Sequence, residues 1–158
     1  MEVGGMTTPI KVIAVTEGDM MRSPRMREFI SRCYSHENSD VDPEALCDFL
    51  AIELESREEW LKLFIAIDEE SGPCGMSLVV VSIDPLSPNP WISHFVAEKR
   101  AAFSELADAT KGYLRDRGFR KVSVLNRTGA SDRAHARMCR RWGGGAPAGS
   151  LIVYELEG

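Results

Sequence analysis

The segment HFVAEKRAAFSELADATKGYLRDRGFRKVSVLN, residues 94–126, decides the fold of this 158-residue chain. It begins inside a strand, WISHFVA over residues 91–97, whose branched and aromatic residues suit a pleated, half-buried surface. A short charged linker follows. Residues 104–117 then place Leu106, Ala109, Thr110, Tyr113 and Leu114 at helical spacing on one face. Gly118 stops that helix, because glycine enters the left-handed backbone that closes a helix C-terminus without a Cβ penalty. KVSVLN, residues 121–126, is the next strand. Two neighbouring strands joined through a helix pair in parallel, since the helix is the crossover that returns the chain to the same end of the sheet.

Upstream, IKVIAVT (10–16) alternates and is rich in β-branched residues, so it is a strand. Ser23 and Pro24 open a helix over 23–35 that carries Met26, Phe29, Ile30 and Cys33. After a polar linker, Asp42 as cap and Pro43 in the first turn open a second, with Leu46, Phe49, Leu50 and Leu54 as its stripe. Residues 61–84 form an antiparallel hairpin turning at Ser71, Gly72 and Pro73, and PLSPNP (85–90) leads to the fourth strand. Downstream come a helix over 131–143, a flexible connector in GGGAP (143–147) and a last strand over 150–157. The order β-α-α-β-β-β-α-β-α-β makes this an α/β protein with a mixed, mostly antiparallel sheet and helices on both faces. Residues 1–9 are a flexible tail and 10–158 a single domain.

The bulk composition, 44% hydrophobic and 27% charged, fits one domain with a real core. No stretch approaches the roughly 18 apolar residues of a membrane span, and residues 1–9 lack the basic and apolar regions of a secretory leader. Cys33, Cys47, Cys74 and Cys139 show no C-x-x-C spacing and no histidine at zinc-knuckle distance. They are expected to be free thiols in the reducing cytoplasm, with no metal site. Residues 1–75 hold seven Lys and Arg against sixteen Asp and Glu, whereas residues 76–158 hold twelve against eight. That polarity favours an anionic ligand on the second half or is simply a solvated surface. Arg133, Arg137, Arg140 and Arg141, with Arg127, lie at the spacing of a basic helix face. The net charge of -5 and the lack of interleaved exposed aromatics argue against nucleic acid as its partner.

This order of elements resembles the GNAT superfamily of N-acetyltransferases over nearly the whole chain. LFIAIDEESGPCGMSLVVV (63–81) is similar to the superfamily's hairpin, RDRGFRKVSVLN (115–126) to the end of its central helix and fifth strand, and DRAHARMCRRWGG (132–144) to its final helix. The resemblance implies a fourth and fifth strand that splay apart near Ala97 and Asn126, with acetyl-CoA as cosubstrate lying between them. It implies that the backbone at Phe95 and Val96 aligns the pantetheine arm. The N-terminus of the central helix, at Arg100, Ala101 and Ala102, would hold the pyrophosphate. Members carry a glycine-rich loop there, because phosphate must reach backbone N–H groups at a helix N-terminus. This chain has Glu98, Lys99, Arg100, Ala101, Ala102 and Phe103 instead, with no glycine. Glu98 facing inward would repel phosphate, and Phe103 would occupy an oxygen's place. Lys99 and Arg100 would supply positive charge. The expectation is weak acetyl-CoA binding, or its loss.

Two residues are candidates for proton transfer. His94, on the fourth strand, is suited to take a proton from an ammonium substrate near neutral pH, or is a strand histidine bonded to a neighbouring carbonyl. Cys139 stands where members often place a tyrosine that protonates the leaving thiolate, or is a small core residue beside Met138 and Trp142. The resemblance therefore implies a divergent N-acetyltransferase acting on a small-molecule or protein amine. The alternative is a non-catalytic subunit of that fold, engaged with protein partners or with itself.

Overall fold

The computed structural model describes residues 9–34, 41–55, 60–81, 90–125, 145–148 and 151–156. The strands are β1 (Ile10–Val15), β2 (Leu61–Asp68), β3 (Gly72–Val80), β4 (Trp91–Ala97), β5 (Lys121–Leu125), β6 (Gly145–Ala148) and β7 (Leu151–Glu155). The helices among these residues are α1 (Pro24–Tyr34), α2 (Pro43–Glu53) and α3 (Arg100–Asp116), with a short 3-10 turn over Gly18–Arg22. One sheet runs β1-β2-β3-β4-β5-β7-β6. Every neighbouring pair is antiparallel except β4–β5, which is parallel. The expected mixed sheet with one parallel crossover is therefore the observed one. The expected helix over 131–143, with Cys139 and the basic face of Arg133, Arg137, Arg140 and Arg141, lies outside the described residues, as do Arg127 and Asn126.

Alternation along the strands sorts the core into two layers. Leu63 and Ile65 of β2, with Met76 and Leu78 of β3, pack under α1 and α2 against Met26, Phe29, Ile30 and Leu50. Phe64, Ala66 and Cys74 point the other way, onto Ala102 and Leu106 of α3. Further along α3, Phe103, Ala107 and Leu114 cover Val79, Ile92 and Val122. α3 comes close to the sheet because β3 offers Gly75, where an added Cβ would sit 2.7 Å from Leu106 Cδ1. A buried hydrogen bond ties α3 to β3, between Ser77 Oγ and Thr110 Oγ1 at 2.8 Å.

Local signals explain most boundaries. Asp42 accepts from the N–H groups of Glu44 and Ala45, the capping interaction expected of it. α3 ends as Gly118 predicts: its φ is +84°, its N–H donates to the Arg115 carbonyl at 2.9 Å, and Phe119 N–H reaches back to Leu114 at 3.0 Å. These two bonds satisfy carbonyls that the helix end would otherwise orphan.

Three features depart from the expectations. α3 starts at Arg100 and not at residue 104, so four of the six expected loop residues belong to its first turn. Residues 145–147, expected in the connector, belong to strand β6, which pairs with β7. It is an edge strand, the position in a sheet that tolerates a proline such as Pro147. Third, β4 is bulged. Leu78 faces His94 but Val79 faces Ile92, so Ser93 is an extra residue in the ladder. The bulge breaks strict alternation: Ile92 lies with Phe95 and Ala97 on the α3 side, and Val96 packs on the α1–α2 side.

Candidate functional site

β4 carries the candidate site because it changes partners along its length. Glu98 N–H donates to the Cys74 carbonyl at 2.8 Å, and in an antiparallel ladder such bonded positions recur at every second residue. Val96 and His94 therefore also bond β3, and the backbone groups of Phe95 and Ala97 point towards the opposite edge. On that edge β5 pairs with Trp91 and Ile92 only. Ser123 N–H donates to the Pro90 carbonyl at 3.0 Å. Past Ile92 no further β4–β5 pair forms among the described residues, which on β5 end at Leu125. Of the two residues expected to meet a pantetheine arm, Phe95 turns its amide away from β3 and Val96 turns its amide to β3.

The linker from β4 to α3 is only Glu98 and Lys99, and both charges are held down. Arg32 of α1 grips Glu98 through Nε to Oε2 at 3.1 Å and Nη2 to Oε1 at 3.0 Å, and it also donates to the Pro73 carbonyl at 3.3 Å. That hydrogen bond, with the carboxylate's charge, pushes the Arg32 guanidinium pKa up. Lys99 Nζ pairs with Asp68, which is 1% exposed, and reaches Ser71 Oγ at 3.3 Å. Its ammonium pKa is likewise raised, first by the Asp68 hydrogen bond. Asp68 also accepts from the N–H groups of Glu70 and Ser71 at 2.8 and 3.2 Å, closing the β2–β3 turn. Glu98 is thus neutralised by Arg32, and Lys99 is committed to Asp68. Arg100 has no ion-pair partner among the described residues.

The helix N-terminus is built differently from a glycine loop. Lys99 is the N-cap in extended backbone and makes no side-chain capping bond. Phe103 N–H to the Lys99 carbonyl, 3.0 Å, is the first helical bond, so the N–H groups of Arg100, Ala101 and Ala102 have no partner within the helix. Arg100 and Ala101 are exposed; Ala102 and Phe103 are buried. The Phe103 ring meets Phe95 edge to face, centroids 5.1 Å apart, inside the core. It fills the space between α3 and β4 and leaves the exposed end of the helix to Arg100 and Ala101. Free first-turn amides, a positive helix end and one free guanidinium form a donor set that fits a pyrophosphate. The β4 edge at Phe95 and Ala97, unpaired among the described residues, fits the amides of a pantetheine arm.

His94 lies on the α1–α2 side of β4. Its Nδ1 is 2.7 Å from Tyr34 Oη, and the two rings meet edge to face at 5.5 Å. Both side chains are about nine-tenths buried, at 9% and 8% exposure. Tyr34 ends α1, two residues beyond Arg32, so the last turn of that helix is fastened to β4 at both His94 and Glu98. Among the described residues no cluster of His, Cys, Asp and Glu could hold a metal, and no helix is long and apolar enough to cross a membrane. Cys33, Cys47 and Cys74 are free thiols.

Tyr34, Arg32 and Asp68 are not legible as site residues in the sequence. Tyr34 continues the apolar stripe of α1 four residues after Ile30, which marks it as buried. Nothing linear links it to a histidine 60 positions away.

A sheet of this order, with one parallel β4–β5 pair joined by a crossover helix, is the GNAT fold, and this chain has that fold. An acetyltransferase of the GNAT family from Staphylococcus aureus superimposes with a TM-score of 0.68 at 12% identity, covering 94% of this chain and 100% of that one. An aminoglycoside acetyltransferase from an uncultured soil metagenomic sample, solved with sisomicin, gives 0.63 at 17% identity over 94% and 95%. A chimera of the spermidine N-acetyltransferase of Vibrio cholerae gives 0.62 at 9% over 93% and 95%. No protein-family profile matches the chain, and no curated protein does.

Proposed function

We propose that this protein is an acetyl-CoA-dependent N-acetyltransferase that acts on an amine. The observation that carries the reading is the edge of β4 at Phe95 and Ala97, unpaired among the described residues, next to the N-terminus of α3, which has no side-chain cap. The backbone at Phe95, with Val96 beside it, lines up the pantetheine arm. The first-turn amides of Arg100, Ala101 and Ala102, with the Arg100 side chain, hold the pyrophosphate. Bound there, acetyl-CoA supplies an activated acyl carbonyl. His94 receives a proton from the substrate nitrogen, and Cys139, on the resemblance alone, is the candidate donor to the departing sulfur. Fold neighbours that are an aminoglycoside acetyltransferase and a spermidine N-acetyltransferase chimera support a small polyamine-like amine as acceptor.

Calorimetric titration with acetyl-CoA, followed by an assay of CoA thiol release against a panel of amines, tests the reading. Binding with amine-dependent thiol release is the expected result. Absence of acetyl-CoA binding at millimolar concentration would overturn it and favour a non-catalytic subunit of this fold.

A further inference from the structure

The Tyr34–His94 pair joins two buried polar side chains, one at the end of α1 and one on β4. A buried phenol and a buried imidazole each cost free energy unless hydrogen-bonded, and here the bond runs between them at 2.7 Å. The direction of that bond decides what His94 can do. A phenol, with a pKa near ~10, is a good proton donor, and a neutral imidazole, whose conjugate acid has a pKa near ~6.5, is much the better acceptor of the two. The arrangement that matches this difference in basicity has Tyr34 Oη–H donating to Nδ1 and the ring proton on Nε2. In that tautomer the only basic nitrogen of His94 is Nδ1, and Nδ1 is covered by the Tyr34 hydroxyl.

We infer that Tyr34 is a second catalytic residue, the relay through which a substrate proton reaches His94. The inference rests on the acetyltransferase reading and names a further residue of the same site. The substrate ammonium gives a proton to Tyr34 Oη while the phenol proton passes to His94 Nδ1, leaving a neutral phenol and an imidazolium. The freed amine forms its C–N bond to the acyl carbonyl as the C–S bond breaks; its second proton goes to solvent, and the departing thiolate takes a proton from its candidate donor Cys139, which solvent restores. Arg32 serves this arrangement from the same helical turn. Its two-pronged grip on Glu98 holds the end of α1 against β4 and so fixes where the Tyr34 hydroxyl sits.

Nuclear magnetic resonance of the 15N-labelled full chain tests the pair without substrate. The two-bond proton–nitrogen pattern of each ring reports its tautomer, and a His94→Gln variant identifies the signal among the three histidines. The Nε2–H tautomer is expected, shifting towards a tautomer mixture in Tyr34→Phe, which keeps the ring volume. An Nδ1–H tautomer, or a signal unchanged in Tyr34→Phe, would overturn the relay. In turnover, Tyr34→Phe and His94→Gln should each lower kcat by about a hundredfold or more with the KM for acetyl-CoA within about twofold, and the double variant should be no worse than either. Full kcat in Tyr34→Phe sinks the relay alone. An inactive unaltered protein sinks the functional reading, and the relay with it.

Discussion

Arg32 and Glu98, 66 residues apart in sequence, form a two-pronged ion pair that fastens the end of α1 to the last residue before the α3 N-cap. Both side chains remain partly exposed, at 44% and 37%, so the pair contributes little to stability, about 0.2–1 kcal/mol. Its larger effect is on charge. Arg32→Ala would leave a bare carboxylate beside the anion-binding end of α3. Acetyl-CoA affinity should then fall about two- to fivefold, the scale of one charge near a helix end. Adding Glu98→Gln should restore it. Titration calorimetry on the single and double variants checks both, and an unchanged single variant would show that Glu98 lies too far from the ligand to matter.

Phe103 is expected to resist replacement. The sequence invites the view that it blocks a phosphate, so that glycine there should improve binding. The ring is instead 6% exposed and packed on Phe95 and the residues around Ala107. Phe103→Ala should cost about 3–5 kcal/mol, the usual penalty for truncating a buried aromatic, and should not tighten acetyl-CoA binding. Urea denaturation and titration on the same sample separate the two effects.

Ser77 and Thr110 form a closed buried pair, and their energetics should be non-additive. Ser77→Ala strands the Thr110 hydroxyl and should cost about 1–3 kcal/mol. Ser77→Ala with Thr110→Val removes both polar groups and should recover most of that loss. A double-mutant cycle by chemical denaturation gives the coupling; purely additive costs would mean the hydroxyls are satisfied elsewhere.

Alkaline pH should weaken the fold through its thiols. Burial, with the Glu98 charge adding to it, pushes the Cys33 pKa up to about 12 against an ordinary 9.0. Burial also raises Cys47 and Cys74. Above the ordinary value the unfolded chain loses these protons while the folded chain keeps them. The folded state then binds more protons, so stability falls as pH rises. The decline should begin near pH 9 and continue towards pH 12. Cys33→Ser should flatten part of it in melting curves recorded against pH.

Much of the fold was legible because it is written locally. Asp42 caps, Gly118 enters the left-handed region, and strand and helix periodicities differ, so element type and order follow from short windows of sequence. The parallel β4–β5 pair follows from chain order alone. What tertiary structure decided is where those local rules compete with packing. Phe103 sits in a segment that looks like a loop, yet burying its ring on Phe95 extends α3 back to Arg100. The Ser93 bulge is invisible in WISHFVA, because an extra residue in a ladder is defined only by the partner strand, and it is this bulge that puts Ile92 on one side of the sheet and His94 on the other. Glu98 and Lys99 read as free charges until Arg32 and Asp68 arrive from other elements. His94 could be picked out by its chemistry, but its proton partner could not, since a hydrogen bond between residues 34 and 94 exists only once α1 has docked on β4.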